Sequence, residues 1–274
     1  MQTLKVLITV KTYPIPSAKY DELVCTAGVT ESGDFIRLYP IRFRDLPYSQ
    51  QYKKYQWVEV LAKKHKGRDV RKESFRPQED SLKILGEPLG TQRGWAERAR
   101  FALAKRAASM EALYDQQKAD GTSLGVIRPK RILDIEVSAD DAEWKPQFLE
   151  ALRQQRLWDD RKATREPPRK VPWKFHYRFE CDDPRCNGTH RMMIEDWELG
   201  ALYWRCIDNG DSPTIAAAKV KDKFLGTMCA ADRDTHLFVG TVLEHGTWVV
   251  IGVFWPPRDD SSAGSAPLFE SSGS

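Results

Sequence analysis

No stretch of this chain approaches the roughly 20 consecutive apolar residues that a bilayer-spanning helix needs, so no membrane span is expected. Nor does a basic segment lead into a long apolar run at the start, as a secretory signal would. The chain therefore reads as cytoplasmic. Cysteine is scarce and odd in number, five in 274 residues. With that count, and a chain large enough to build its own core, a disulfide framework is not expected. Phosphate-cradling glycine loops of the forms G-x-x-x-x-G-K-[ST] and G-x-G-x-x-G are missing, which argues against P-loop and dinucleotide-binding enzymes. No Ser-His-Asp or Cys-His nucleophile set stands out. Cys229 and His236 bracket a loop without a third group. No enzyme is expected on these grounds.

What is present is a soluble composition, 41% hydrophobic and 30% charged, with its charge segregated. The net charge is +4. Residues 40–77 hold 11 Lys and Arg against 4 Asp and Glu, and residues 153–178 hold 9 against 3. Residues 180–211 reverse the sign, with 3 basic against 8 acidic. Concentrated positive charge attracts phosphate backbones, and the acidic stretch suits a protein partner or solvent.

The stretch from 171 to 206, VPWKFHYRFECDDPRCNGTHRMMIEDWELGALYWRC, organises the second half. Cys181, Cys186 and His190 lie between two runs that read as a strand and its return, 174–179 and 192–194. Two strands joined by a loop of soft ligands form a knuckle that can hold Zn2+, with four ligands at about 2.0–2.3 Å. Three are evident. Cys206, just past a short helix from Asp196, is the first candidate for the fourth, and His176 in the incoming strand is the second.

Alternating β-branched runs predict strands at 4–10, 22–29, 35–39, 57–62 and 81–85. A polar, aromatic segment with short helical turns separates the third from the fourth. Three strands, a helical connection and two more strands is the order of an OB-fold, a five-stranded Greek-key barrel. A long helix is expected over 93–118, with Trp95, Ala99, Ala102, Leu103, Met110 and Leu113 on one face. The second half repeats the order, ending in WVVIGVFW at 248–255, which is apolar on both faces and so buried. The expected fold is thus mixed β with helices: two OB-like five-stranded barrels joined by a long helix, with a zinc knuckle in the second. The expected divisions are 1–90 for the first barrel, 91–120 for the helix, 121–258 for the second barrel and 259–274 for a disordered tail.

Several blocks resemble bacterial dual OB domain-containing proteins. They are VLITVKTYPIPSAKYDELVCTAGVTESGDFIRLYPIRFRDLP at 6–47, YKKYQW at 52–57, FRP at 75–77, the C-x4-C with its following histidine, DWELGALY at 196–203, and LFVG and WVVIGVFWPP at 237–240 and 248–257. The resemblance implies two OB-like domains and a nucleic-acid-binding, accessory or sensing role, in some members in antiviral defence. It implies no catalytic residues.

OB-folds bind single strands with a cationic groove and aromatic faces on which bases stack. Arg37, Tyr39, Arg42, Phe43, Arg44, Lys53 and Lys54 form one such mixed cluster. Lys174, His176 and Arg178 form another, on one strand face opposite Phe175, Tyr177 and Phe179. These ten residues are the expected nucleic-acid contacts, for DNA or RNA. Two alternatives remain: a protein-interaction subunit, and a metal-dependent nuclease built on Glu195, Asp196 and Glu198 with His190. Asp196 also reads as a helix N-cap, with Glu198 a favourable first-turn charge.

Overall fold

The computed structural model describes residues 1–17, 21–65, 69, 71–147, 149, 150, 166–243 and 246–258. The first half is a closed barrel. Its strands are β1 (Gln2–Lys11), β3 (Asp21–Val29), β4 (Phe35–Ile41), β5 (Trp57–Lys64) and β6 (Ser74–Pro77), with a short β2 (Ile15–Ser17) beside β3. β1 pairs with β3 and β5, β3 with β4, and β5 with β6, all antiparallel. The ring closes where β4 runs parallel to β6, through Arg37 opposite Ser74 and Leu38 opposite Phe75. This five-stranded, OB-like barrel encloses Val6, Ile8, Val24, Leu38, Val58 and Val60, all 0% exposed.

Two details of strand placement differ from the sequence-based expectation, while the helical turns between the third and fourth strands are as expected. The fifth barrel strand is Ser74–Pro77, inside what reads as a basic loop. β7 (Lys83–Leu85) joins the outer side of β5 instead of closing the ring. Two 3-10 turns, Phe43–Asp45 and Tyr48–Gln50, connect β4 to β5. β1 must bend to serve two neighbours, and its register with β3 shifts between Ile8 and Val10. Opposite Ile8 stands Gly28, where a Cβ would lie 2.1 Å from the Leu7 carbonyl oxygen, so only glycine fits this approach.

The connector is two helices, not one over 91–120. α1 (Gln92–Ala102) begins with left-handed residues at Arg93, Gly94 and Trp95, and α2 (Met110–Asp120) starts afresh. Ser109 caps α2, its hydroxyl accepting from the Ala112 amide, and left-handed Gly121 ends it. The apolar periodicity runs through both helices, which is why it reads as one.

The second half contains β8 (Leu124–Ile127), β9 (Arg131–Ala139), β10 (Trp173–Glu180), β11 (His190–Met193), α3 (Trp197–Asp208), α4 (Pro213–Lys221), β12 (His236–Thr241) and β13 (Trp248–Phe254). A π-helical turn, Asp222–Thr227, extends α4. The strands pair as two three-stranded sheets, β11-β10-β9 and β13-β12-β8. A parallel bridge between Ile194 and Val250 links them. The expected second closed barrel is therefore seen as two sheets. The expected tail, 259–274, lies outside the described residues.

The halves share a core. Val10, Ala27 and Tyr55 pack with Ala102, Leu124, Val126, Phe238, Val249, Ile251 and Phe254 in one apolar cluster. Polar bolts flank it. Arg37, 1% exposed, donates to the Ser123 hydroxyl at 2.7 Å and the Ser123 carbonyl at 2.9 Å. Glu73 accepts from the Ser123 amide and hydroxyl. Arg71, held by Asp69, donates to the Thr241 carbonyl at 2.8 Å.

Candidate nucleic-acid interface

Strand β1 leaves the barrel and meets the second half. Thr12 bridges to Asp196, and the Tyr13 amide donates to the Glu195 carbonyl at 3.2 Å. Tyr13 lies across Gly200 of α3, where a Cβ would be 2.2 Å from its ring. Asp196 is the N-cap of α3, one oxygen accepting from the Glu198 amide at 2.9 Å. Both its oxygens accept from the Lys54 ammonium at 2.9 Å, and Glu198 joins at 3.2 Å. Burial acts against the Lys54 charge, but Asp196 and Glu198 outweigh it and hold the amine protonated well above its usual range. Lys11 sits beside this pair, 4.1 Å above the Phe43 ring and 5.1 Å from Trp197. Burial, then the Lys54 charge, pulls its amine down to about 8.

Beyond Lys54 the surface opens into a cleft of about 510 Å³. Lys53, Arg98 and Lys223 supply positive charge beside the paired Lys54, Glu198 is the one acid among the described residues lining it, and Tyr55, Trp95 and Trp255 supply ring faces. α1 places Arg98 so that its guanidinium stacks 4.3 Å from the Tyr55 ring and 5.1 Å from Trp95, while its Nε donates to the Leu89 carbonyl. Trp95 meets Trp255 edge-on at 5.3 Å. Trp255, just after β13, is flanked by Lys223 at 5.0 Å and Arg233 at 5.2 Å. Arg233 in turn lines a second concavity of about 560 Å³ with Arg106, Arg128, Lys130, Arg131 and Arg258, where Arg128 pairs with Asp234, Lys130 with Asp182, Arg131 with Glu180 and Arg233 with Asp232, just as Lys174 and Arg178 on β10 are paired. Cations and aromatic rings thus follow one another from Lys53 to Arg258.

The residues singled out in the sequence fall elsewhere for the most part. Arg37 is buried at the barrel seam and Phe43 is in the barrel core. Tyr39 is half-buried on β4. Arg42 forms a two-pronged pair with Glu79, and Arg44 pairs with Glu22. Lys53 and Lys54 alone reach the cleft. On β10, Phe175, Tyr177 and Phe179 are buried and Lys174, His176 and Arg178 face outward, as the alternation predicts. That outward face is already paired, Lys174 with Asp140, Arg178 with Glu136, and His176 with Arg191. Sequence reading missed Trp95, Arg98, Lys223 and Trp255 in the cleft and Arg233 in the second concavity. For Trp95 and Arg98 the signal is a cation three residues from a tryptophan, which a helix face hides among ordinary solvated charges; Lys223 and Arg233 reach Trp255 only through the fold.

The knuckle brings Cys181, Cys186 and His190 together. Cys186 Sγ is 3.4 Å from His190 Nε2. Burial pushes the Cys181 thiol up to about 12. Cys206 is on α3 near Asp211 and Lys219, and among the described residues the ligand grouping is Glu111, Cys181 and His190, with Cys186 beside it at His190. The nuclease candidates do not gather with His190: Asp196 is committed to the cap and to Lys54.

Residues 105–272 match the family described as Domain of unknown function (DUF8757), and residues 2–104 match Domain of unknown function (DUF8758). The first match covers more than half of the sequence, so this chain belongs to the DUF8757 family. The boundary between the matches falls between α1 and α2. None of the curated proteins compared matches. Among solved structures, "Structure of murine DNA binding protein bound with ds DNA" aligns over 98% of this chain and 100% of that one, at 10% identity and a TM-score of 0.31. That likeness is too slight to support an inference. Among the described residues no helix is long and apolar enough to cross a membrane.

Proposed function

We propose that this protein binds single-stranded nucleic acid along the track from Lys53 and Arg98, past Trp255, to the arginines around Arg233. The observation that carries the reading is Trp255 between Lys223 and Arg233, where two cationic concavities meet on an aromatic face. Single-strand sites combine these elements: cations for the backbone, and rings for bases at about 1–3 kcal/mol each. The closed OB-like barrel is a scaffold suited to this use.

The reading includes a second OB-like barrel. Supporting it, β8 and β9 are consecutive and separated only by Arg128, Pro129 and Lys130, so they can act as one long bent first strand. On that basis the pairings follow the same order as the first barrel. The Ile194–Val250 bridge takes the place of the parallel closure, and α3 and α4 lie between the third and fourth strands.

Fluorescence anisotropy with labelled single-stranded oligonucleotides over a salt series tests the function. Binding should weaken with salt at about −0.7 log units per log unit for each phosphate neutralised. Trp255→Ala should cost about 1–3 kcal/mol of affinity. A wild-type protein without salt-dependent binding would refute the proposal. Retention of a protein partner but no oligonucleotide would favour the interaction-subunit alternative.

A further inference from the structure

The knuckle loop joins β10 to β11, with Cys181 at its start, Cys186 in its middle and His190 at its end. It is clasped to the first turn of α2, a helix more than 60 residues earlier in the chain. The Ser109 hydroxyl donates to Asp183 at 2.7 Å, and Arg185 reaches Asp115 at 2.6 Å. These contacts hold Glu111, the second residue of α2, over the loop. Its Oε1 is 2.9 Å from His190 Nε2. The ligand atoms of Glu111, Cys181 and His190 all lie within 4.8 Å of one another.

Two features of this cluster suit a shared cation. His190 Nε2 faces both the Glu111 carboxylate and the Cys186 sulfur, yet one ring nitrogen carries at most one hydrogen. Glu111 Oε2 is buried with no hydrogen-bond partner, and the carboxylate lies against the Cys181 thiol. Each sulfur accepts from a backbone amide, and Cys186 also reaches the Gly188 carbonyl at 3.4 Å. The Met110 amide points at Cys181 Sγ at 3.4 Å, and the Cys181 amide at Cys186 Sγ at 3.5 Å. A tetrahedral zinc ion with bonds of about 2.3 Å to sulfur and 2.0 Å to nitrogen sets those ligand atoms about 3.5 Å apart. The Cys186–His190 separation of 3.4 Å fits that spacing.

We propose that Cys181, Cys186, His190 and Glu111 hold one zinc ion as a four-ligand structural site, with Glu111 as the fourth ligand. A cation at the centre accepts lone pairs from both sulfurs, the imidazole nitrogen and the carboxylate together. Neither Cys206, on α3, nor His176, paired with Arg191, takes part. The ion then fastens the knuckle to α2 beside the hydrogen bonds from Ser109 and Met110 that already join them. The proposal is independent of nucleic-acid binding.

Elemental analysis of the purified full-length protein after dialysis should find one zinc per chain, unchanged in Cys206→Ser and absent in Cys181→Ser. Glu111→Gln keeps the shape of the side chain and so the fold, which circular dichroism checks. Competition with a chromophoric chelator should then show zinc affinity down by at least about tenfold. The cobalt-substituted wild type should show the absorption of a tetrahedral ion with two thiolates, altered in Glu111→Gln. A wild type that retains no zinc overturns the site. Glu111→Gln binding as tightly as wild type, or zinc loss in Cys206→Ser, overturns the ligand assignment.

Discussion

Lys54 of the first half and Asp196 of the second meet at 2.9 Å through both carboxylate oxygens, with side chains only 10% and 1% exposed. Such a pair resists removal of one partner far more than replacement of both. Lys54→Met should destabilise the fold by about 3–5 kcal/mol, because it strands a buried carboxylate. Adding Asp196→Asn should recover part of that loss. Urea denaturation of the two single variants and the double variant measures the coupling; simple additivity would refute it.

Lys11 makes stability depend on alkaline pH. Its amine titrates at about 8 in the fold against 10.5 ordinarily. Between those values the unfolded chain holds a proton that the folded chain has released, so stability rises with pH across this window. Lys11→Met should therefore stabilise the protein at pH 7, by about 1 kcal/mol once the lost contact with the Phe43 and Trp197 rings is set against the gain. The advantage should shrink toward pH 10.5. Thermal melts at several pH values test this, and parallel curves for the two proteins would count against it.

Gly200 leaves room for Tyr13. A methyl group there meets the ring at 2.2 Å, while the Tyr13 hydroxyl is tied to the Arg169 carbonyl at 2.8 Å. Gly200→Ala should cost about 1–3 kcal/mol from overpacking. In a Tyr13→Ala background the same substitution should cost much less. Equal cost in both backgrounds would place the strain elsewhere.

Arginines of the two kinds should separate in binding experiments. Arg98→Glu and Lys223→Glu should each weaken oligonucleotide binding and lower the salt slope by about one contact's worth. Arg37→Met should instead destabilise the fold and leave the slope unchanged, since its guanidinium is sealed against Ser123 and Ser74. A lowered slope in folded Arg37→Met would contradict that division.

Local patterns carry the strands well, because burial on one face writes a period of two into residues such as 173–180. Helix α3 is equally legible, with Asp196 an N-cap as expected. Closure of the barrel by Ser74–Pro77 is not, since this strand is four residues long and set among charges. The knuckle is visible as Cys181, Cys186 and His190, but Glu111 is 70 residues before Cys181 and looks like any first-turn acid. Arg37 illustrates the opposite failure. Composition alone cannot tell a cation facing phosphate from one sealed at a seam, and only the fold brings Ser123 to it.

The seam that Arg37, Arg71 and Lys54 cross bears on how such a chain can be inherited. Sequence families divide it at 104/105, yet each side keeps the partners of charges buried on the other. Cut there, the first piece would expose Tyr55 and Val10, and the second would leave Asp196 without its counter-ion. The two matches are thus halves that share one core and its buried polar contacts. Neither can be lent alone to another protein without rebuilding the surface where they meet.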